Sequence, residues 1–127
     1  MGTFDHFDMR FTVILSISLL WSASALASGL ATTVFTVTAY CACRACTGVY
    51  SGGPTASGSM PRQGVTVAAP RSIRFGTILD IEGVGRRVVQ DRLAMAYDNR
   101  IDVFFRSHAE AKRFGIRKLR VTGFRPN

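Results

Sequence analysis

The sequence predicts a mainly β fold for the chain after residue 27, built as a closed barrel or a sandwich. Short runs of residues alternate apolar and polar side chains, which is typical of strands with one buried face. Turn-forming Gly, Asn and Pro residues separate these runs, and only one segment carries helix-capping signals. About 100 residues suffice for one hydrophobic core, so we expect a single domain over residues 28–127.

The first 27 residues are predicted to be a signal peptide. Arg10 precedes an apolar block, Phe11–Trp21, and Ala25-Leu26-Ala27 is a small-x-small cleavage site. The block is far shorter than the roughly 20 residues that a membrane-spanning helix needs. The alternative, a buried N-terminal helix, lacks a capping residue and a glycine stop. We therefore expect a protein exported to the periplasm or the extracellular envelope, with no stable membrane span after cleavage.

The mature chain is strongly basic. Removal of Asp5, Asp8 and Arg10 with the signal peptide leaves 15 Lys and Arg against 6 Asp and Glu, a net charge of +9. Most of this charge is arginine, which suits bidentate contact with carboxylates and phosphates. For an exported protein, acidic wall polymers and wall peptides are nearer partners than nucleic acid. A charge that only keeps the protein soluble is the alternative.

The first strand is predicted at residues 33–40, where Phe35 and Val37 alternate with Thr36 and Thr38. A long stretch rich in Gly, Ser and Pro, residues 47–64, predicts an ordered loop of the kind that often lines a site. Four further strands are predicted at residues 65–69, 76–83, 86–91 and 100–105. The Gly-Val-Gly at 83–85 joins the strands at 76–83 and 86–91 as a hairpin.

One short helix is predicted after Ser107, because Ser107-His108-Ala109-Glu110 has the spacing of a capping box. Gly115 stands where a helix-ending glycine would, so the helix has about two turns. Ile116, Leu119 and Val121 then indicate a last strand.

Three cysteines, Cys41, Cys43 and Cys46, are candidates for a disulfide. Cys41 and Cys43 project from one face if the strand continues, so pairing of either with Cys46 is favoured. A zinc site would need a fourth ligand, and His108 or a carboxylate lacks motif spacing. We therefore predict a local disulfide and no metal site, and for His108 a neutral or capping role.

Two carboxylates are candidate catalytic residues. Asp91 ends one predicted strand, and Asp102 lies in the next strand on the face opposite Ile101 and Val103. If these strands are neighbours, the carboxylates share a cleft, and like charges close together raise the pKa of one of them. One group is then a general acid while the other is ionised, which suits cleavage of a glycosidic bond. The alternative is that both carboxylates pair with arginines, the candidates being Arg92, Arg100 and Arg106.

Six segments resemble bacterial three-Asp (3D) domains, in the same order and over about residues 36–123. They read VTAYCACRACTG, GGPTASG, VTVAAPRSIRFGTILDIEGVGR, VVQD, NRIDVFF and SHAEAKRFGIRKLRV. The resemblance implies a six-stranded double-psi β-barrel, the fold of the catalytic domain of membrane-bound lytic transglycosylase A. It also implies peptidoglycan glycan strands as the partner and no cofactor. We expect no nucleic-acid partner and a monomer.

In that family the signature D-T-G-G-A-I-K-G-N-R-I-D occupies the frame that reads DRLAMAYDNRID here, from Asp91 to Asp102. By resemblance, Asp102 is the catalytic acid/base and Asp91 its supporting carboxylate. The implied reaction protonates the oxygen between N-acetylmuramic acid and N-acetylglucosamine, then removes the proton of the muramic 6-hydroxyl to close an anhydro ring. Four further residues are expected to bind the glycan: Tyr40, Thr55, Ser57 and Arg100.

Two departures from the family pattern leave two functional hypotheses. Leu93-Ala94-Met95-Ala96 replaces the Gly-Gly-Ala-Ile core of the signature, and the family's third Asp is absent from Val67-Ala68-Ala69-Pro70. The first hypothesis is a peptidoglycan lytic transglycosylase that acts through Asp102. The second is a non-catalytic wall-binding or accessory barrel whose arginines grip acidic glycan. A partly buried Asp102 at the floor of an open groove favours the enzyme, and an Asp102 locked to an arginine favours the binder.

Overall fold

The computed structural model describes residues 31–124, so the predicted signal peptide lies outside the described residues. Six strands form one closed barrel in the order β1-β5-β2-β4-β3-β6, with β6 paired back onto β1. The pairs β1–β5 and β2–β4 are parallel and the other four are antiparallel. The strands are β1 (Thr33–Tyr40), β2 (Thr66–Ala69), β3 (Ile78–Ile81), β4 (Gly85–Arg92), β5 (Arg100–Phe104) and β6 (Arg117–Phe124).

This architecture confirms the predicted fold class, a mainly β six-stranded barrel. The described residues contain two short α-helices instead of the one predicted: α1 (Arg44–Thr47) and α2 (His108–Phe114). A 3₁₀ turn, Gly48–Tyr50, follows α1 directly. The added helix lies in the cysteine segment, where four residues are too few to show helical periodicity in the sequence. No helix of the described chain is long and apolar enough to cross a membrane.

Nine apolar side chains fill the interior of the barrel, and every strand contributes at least one of them. In β5, Ile101 and Val103 point inward, which leaves Asp102 on the outer face as the alternation predicted. The predicted hairpin is also present, since β3 and β4 pair antiparallel across the turn at 82–84. The interior residues are Val37, Val67, Ala69, Leu79, Ile81, Val89, Ile101, Val103 and Val121.

A β-bulge in β4 sets the direction of Asp91. In the parallel pair β2–β4 the register shifts by one residue, so that Ala68 lies opposite Asp91 and Gln90 is the inserted residue. Successive strand side chains point to opposite faces, so the insertion places Asp91 on the face of Ala68 instead of the interior face of Val89. Gln90 stays anchored, since its Oε1 accepts a hydrogen bond from Thr66 Oγ1 at 2.7 Å.

Helix α2 begins with the predicted cap. Ser107 has an extended backbone, and its hydroxyl oxygen accepts a hydrogen bond from the Glu110 N–H at 3.1 Å. The helix ends at Gly115, whose φ of 68° lies in the region that favours glycine.

Ser107→Ala is expected to lower the free energy of unfolding by about 1 kcal/mol, because one N–H of the first helical turn loses its partner. Chemical denaturation of the two proteins measures this difference. Ser72→Ala, at an exposed turn position, is the matched control and should change stability little.

Candidate active site

A groove with a volume of about 750 Å³ lies against the outer faces of β2, β4 and β5. One of its walls is the segment that follows β1, from Ala42 to Pro61, and the other is the β4–β5 connection from Leu93 to Tyr97. Asp91 and Asp102 both line it. The volume is in the range typical of small-ligand sites, so the groove is large enough for part of a polymer such as a glycan.

Asp91 is held by three hydrogen-bond donors. The Tyr40 hydroxyl donates to Asp91 Oδ2 at 2.8 Å. The backbone N–H groups of Ala56 and Arg92 donate to Asp91 Oδ1 at 3.0 and 2.8 Å. Three donors fix the orientation of the carboxylate. Burial, followed by the neighbouring Asp91 charge, raises the pKa of Tyr40 above its usual range, so this hydroxyl remains a donor.

Asp102 is mostly buried, and its Oδ1 atom has no hydrogen-bond partner within the described residues. Burial raises the pKa of Asp102 from 3.8 to about 6, with Arg100 opposing and Asp91 adding to this shift. Removal from water disfavours the charged form of a carboxyl group, which is the cause of this shift. Asp102 is therefore a carboxyl group that keeps its proton to unusually high pH and has one buried oxygen without a hydrogen-bond partner among the described residues.

The two carboxylates share the groove, although their strands are not neighbours. Strand β2 lies between β4 and β5, and Ala68 faces Asp91 on one side and Asp102 on the other. Two strand spacings separate the two aspartate backbones by roughly 10 Å. At that separation Asp91 contributes less to the pKa of Asp102 than burial does. The sequence predicted that repulsion between the two carboxylates raises the pKa of one of them. For Asp102, burial is instead the main cause of the raised pKa, and that part of the prediction was wrong.

The arginines near the site do not pair with either carboxylate within the described chain. The guanidinium of Arg92 lies over the Phe75 ring, 3.7 Å from its centre, and donates to the carbonyls of Ala69 and Pro70. The guanidinium of Arg100 lies 4.1 Å from the centre of the Tyr97 ring. Asp102 thus lies at the floor of an open groove and is not locked in an ion pair.

The residues expected to bind the glycan have different surroundings. Tyr40 lines the groove, but its hydroxyl is committed to Asp91. Thr55 also lines the groove, although it is buried and its hydroxyl donates to the Ser59 carbonyl at 2.8 Å. Arg100 lines the groove beside Asp102, whereas Ser57 is exposed and bonds to neighbouring hydroxyls outside it. Arg100 is the predicted residue best placed to meet a ligand.

The replaced signature loop leaves the groove open. Leu93 and Ala94 line it, whereas Met95 does not and is 80% exposed. Leu93 and Ala94 therefore form part of one wall of the groove and do not fill it.

Tyr40→Phe is expected to lower the free energy of unfolding by about 2 kcal/mol, since one donor to a charged carboxylate is lost while the aromatic packing stays. The Tyr40 ring remains in edge contact with Phe104, whose ring centre is 5.4 Å away. Urea denaturation measures the change, and Tyr50→Phe, at a residue that is 77% exposed, is the matched control.

The three cysteines form no disulfide. The sulfur of Cys41 lies 3.0 Å from that of Cys43 and 3.4 Å from that of Cys46, well beyond the bond length of about 2.05 Å. All three are free, so the predicted local disulfide is absent from this structure. The hydrogen bond from Cys41 lowers the pKa of Cys43 to about 6, and burial raises the pKa of Cys41 to about 12.

His108 is the first residue of α2, and the residue that caps this helix is its neighbour Ser107. The capping role considered for His108 was therefore wrong. Its Nδ1 atom instead lies 3.5 Å from the sulfurs of Cys43 and Cys46 and 3.7 Å from that of Cys41. Sequence spacing gave no sign of this contact, because 62 to 67 residues separate the partners and only the barrel brings them together.

The fold and the groove define a class of protein, a small closed β-barrel with two carboxylates in an external groove. No family model matches the chain, and no curated protein matches it. Membership of the three-Asp domain family therefore stays a prediction from the residues quoted above.

Proposed function

We propose that this protein is an exported cell-wall enzyme that cleaves the bond between N-acetylmuramic acid and N-acetylglucosamine in peptidoglycan, in the manner of a lytic transglycosylase. The observation that carries the proposal is Asp102. This carboxyl group is mostly buried, has a raised pKa and lines an open groove beside a second, firmly held carboxylate. A carboxyl group that can donate a proton beside a second carboxylate is the pairing that cleavage of a glycosidic bond uses.

In the first step, protonated Asp102 donates its proton to the glycosidic oxygen, and the bond from that oxygen to the muramic C1 breaks. Positive charge develops on the sugar ring at this point. The negative charge of Asp91 lies across the groove and stabilises it at a distance. Asp91 is suited to this role because the donors Tyr40, Ala56 and Arg92 orient it.

In the second step, the Asp102 carboxylate takes the proton of the muramic 6-hydroxyl, whose oxygen bonds to C1 and closes the 1,6-anhydro ring. The proton lost in the first step is regained in the second, so Asp102 ends the cycle as it began. One carboxyl group can serve both steps because they are successive. No water and no covalent enzyme intermediate enters the reaction.

The surroundings of Asp102 suit a polymer that passes through the site. A second cavity of about 370 Å³, on the side of α2, is also lined by Asp102 and by Tyr40, Cys46 and Arg100. Asp102 therefore lies where the two cavities meet, with space for sugar residues on both sides of a scissile bond. The Tyr50 and Tyr97 rings line the larger cavity and are exposed, as sugar-stacking surfaces are.

A non-catalytic wall-binding barrel is the alternative function. It is favoured by the basic surface and by Ala68, which places a methyl group between the two aspartates in the segment where the family's third Asp is missing. Under this alternative, Arg100 and Arg92 would bind acidic groups on the glycan or its peptides, and the aspartates would only shape the groove.

Incubation of the purified protein with peptidoglycan sacculi, followed by mass spectrometry of the soluble products, separates these functions. Muropeptides that end in 1,6-anhydro-muramic acid support the enzyme. Products with a free reducing end would indicate hydrolysis by water and contradict the proposed second step. Co-sedimentation of the protein with intact sacculi and no soluble product would indicate the binding module.

A further inference from the structure

A second cluster of chemically reactive side chains lies at the end of β1, apart from the two aspartates. Cys41, Cys43, Cys46 and His108 each offer one ligand atom, and these four atoms all lie within 4.8 Å of one another. The three sulfurs come from one short segment, and the imidazole comes from the start of α2. Cys41 is buried, whereas Cys46 and His108 are exposed.

The distances in this cluster match a tetrahedral metal centre. Around zinc, with Zn–S bonds of about 2.3 Å and Zn–N bonds of about 2.0 Å, a sulfur and a nitrogen ligand lie roughly 3.5 Å apart and two sulfurs roughly 3.8 Å apart. The three sulfur-to-Nδ1 distances are 3.5, 3.5 and 3.7 Å. The Cys41 sulfur lies 3.0 Å from that of Cys43 and 3.4 Å from that of Cys46, so each of these pairs needs to separate by less than 1 Å.

The backbone turn after Cys43 holds the sulfur ligands close together. The N–H groups of Cys46 and Thr47 donate hydrogen bonds to the Cys43 carbonyl at 3.0 and 2.9 Å, which closes the single turn of α1 between Cys43 and Cys46. The Cys43-Arg44-Ala45-Cys46 spacing is within the range found in structural zinc sites.

We propose that Cys41, Cys43, Cys46 and His108 bind one structural zinc ion. Three thiolates and one imidazole complete a tetrahedral shell, so no position is left open for water or substrate. The ion ties the segment after β1 to the N-terminus of α2. Cys46 and its neighbour Thr47 also line the groove, so zinc binding would fix one wall of that groove. This inference does not depend on the proposed function.

A disulfide is the competing use of the same thiols. Any disulfide among three cysteines leaves one thiol unpaired and gives His108 no role, whereas a zinc ion engages all four side chains. Oxidising and metal-binding chemistry also exclude each other here, because a bonded sulfur pair cannot present two thiolates.

The test starts from the full-length chain, expressed and purified under reducing conditions, and measures its zinc content by elemental mass spectrometry. One zinc per chain is expected. Exchange with Co²⁺ should give a sulfur-to-cobalt charge-transfer band and the strong visible bands of tetrahedral cobalt. His108→Ala should weaken zinc binding by more than roughly 100-fold, since even the loss of a supporting group beyond the ligands costs 10–100-fold. Arg44→Ala, which changes an exposed residue between two ligands, is the matched control and should bind as the wild type does.

Thiol alkylation keeps the test decisive if a variant fails to fold. In the wild-type protein, zinc should protect all three thiols from alkylation, and a chelator should expose them. A protein that binds no zinc or cobalt, binds them equally well after His108→Ala, or contains a disulfide by mass in the presence of zinc would overturn the proposal.

Discussion

Asp102→Asn is expected to reduce the release of anhydro-muropeptides from sacculi by about 100-fold to 10 000-fold, the usual contribution of a general acid. The asparagine amide has nearly the shape of the carboxyl group but carries no acidic proton, so the glycosidic oxygen leaves without protonation. Asn also cannot accept the proton of the muramic 6-hydroxyl in the second step. The initial rate of product release, quantified by mass spectrometry, measures the effect.

Two other aspartates serve as references for that experiment. Asp80 is exposed on β3, so Asp80→Asn should leave the rate unchanged. Asp91→Asn should reduce the rate by a smaller factor than Asp102→Asn does, because Asp91 supplies charge and not the transferred proton. Full activity of the Asp102→Asn protein would remove Asp102 from the mechanism. Activity lost only in the Asp91→Asn protein would mean that Asp91 transfers the proton and Asp102 supplies the stabilising charge.

Asp102→Asn is also expected to stabilise the folded protein at neutral pH. Burial raises the pKa of Asp102 from 3.8 in the ordinary case to about 6, so the folded state holds its proton more tightly than the unfolded state does. Between these two values the folded state binds more protons, and the free energy of unfolding falls as pH rises. Above about pH 6 the wild type holds a buried charge that the Asp102→Asn protein lacks.

We expect the Asp102→Asn protein to be more stable than the wild type by on the order of 2 kcal/mol at neutral pH. This advantage should disappear near about pH 3, where Asp102 is protonated in both the folded and the unfolded wild type. Urea denaturation of both proteins across this pH range measures the difference. A stability difference that does not change with pH would mean that burial leaves the titration of Asp102 unaltered.

Local sequence patterns predicted most of the barrel. Period-2 alternation located β1 and β5, and Ser107 with Gly115 marked the ends of α2. These features depend on residues close together in the chain, where side-chain direction and capping follow from backbone geometry. The order of strands around the barrel depends instead on contacts between residues far apart in the chain. Alternation alone therefore could not show that β2 lies between β4 and β5.

The sequence predicted only those parts of the site that depend on local patterns. The alternation of β5 put Asp102 on the outer face, and this held. The bulge at Gln90, which turns Asp91 into the groove, follows from pairing with β2 and leaves no mark in the sequence of β4. The approach of His108 to the cysteines likewise needs the closed barrel. Long-range contacts such as these are where reading one sequence is weakest.

The most direct test of this account is the titration of Asp102 itself, because the proposed mechanism needs a carboxyl group whose pKa is raised far enough to keep a protonated fraction near neutral pH. The ¹³C chemical shifts of the aspartate carboxyl groups, followed by NMR against pH in uniformly labelled protein, give this value, and the Asp102→Asn protein assigns the signal. The account predicts a midpoint near 6 for Asp102. A midpoint at or below its ordinary value of 3.8 would contradict it, since Asp102 would then be ionised and unable to protonate a glycosidic oxygen.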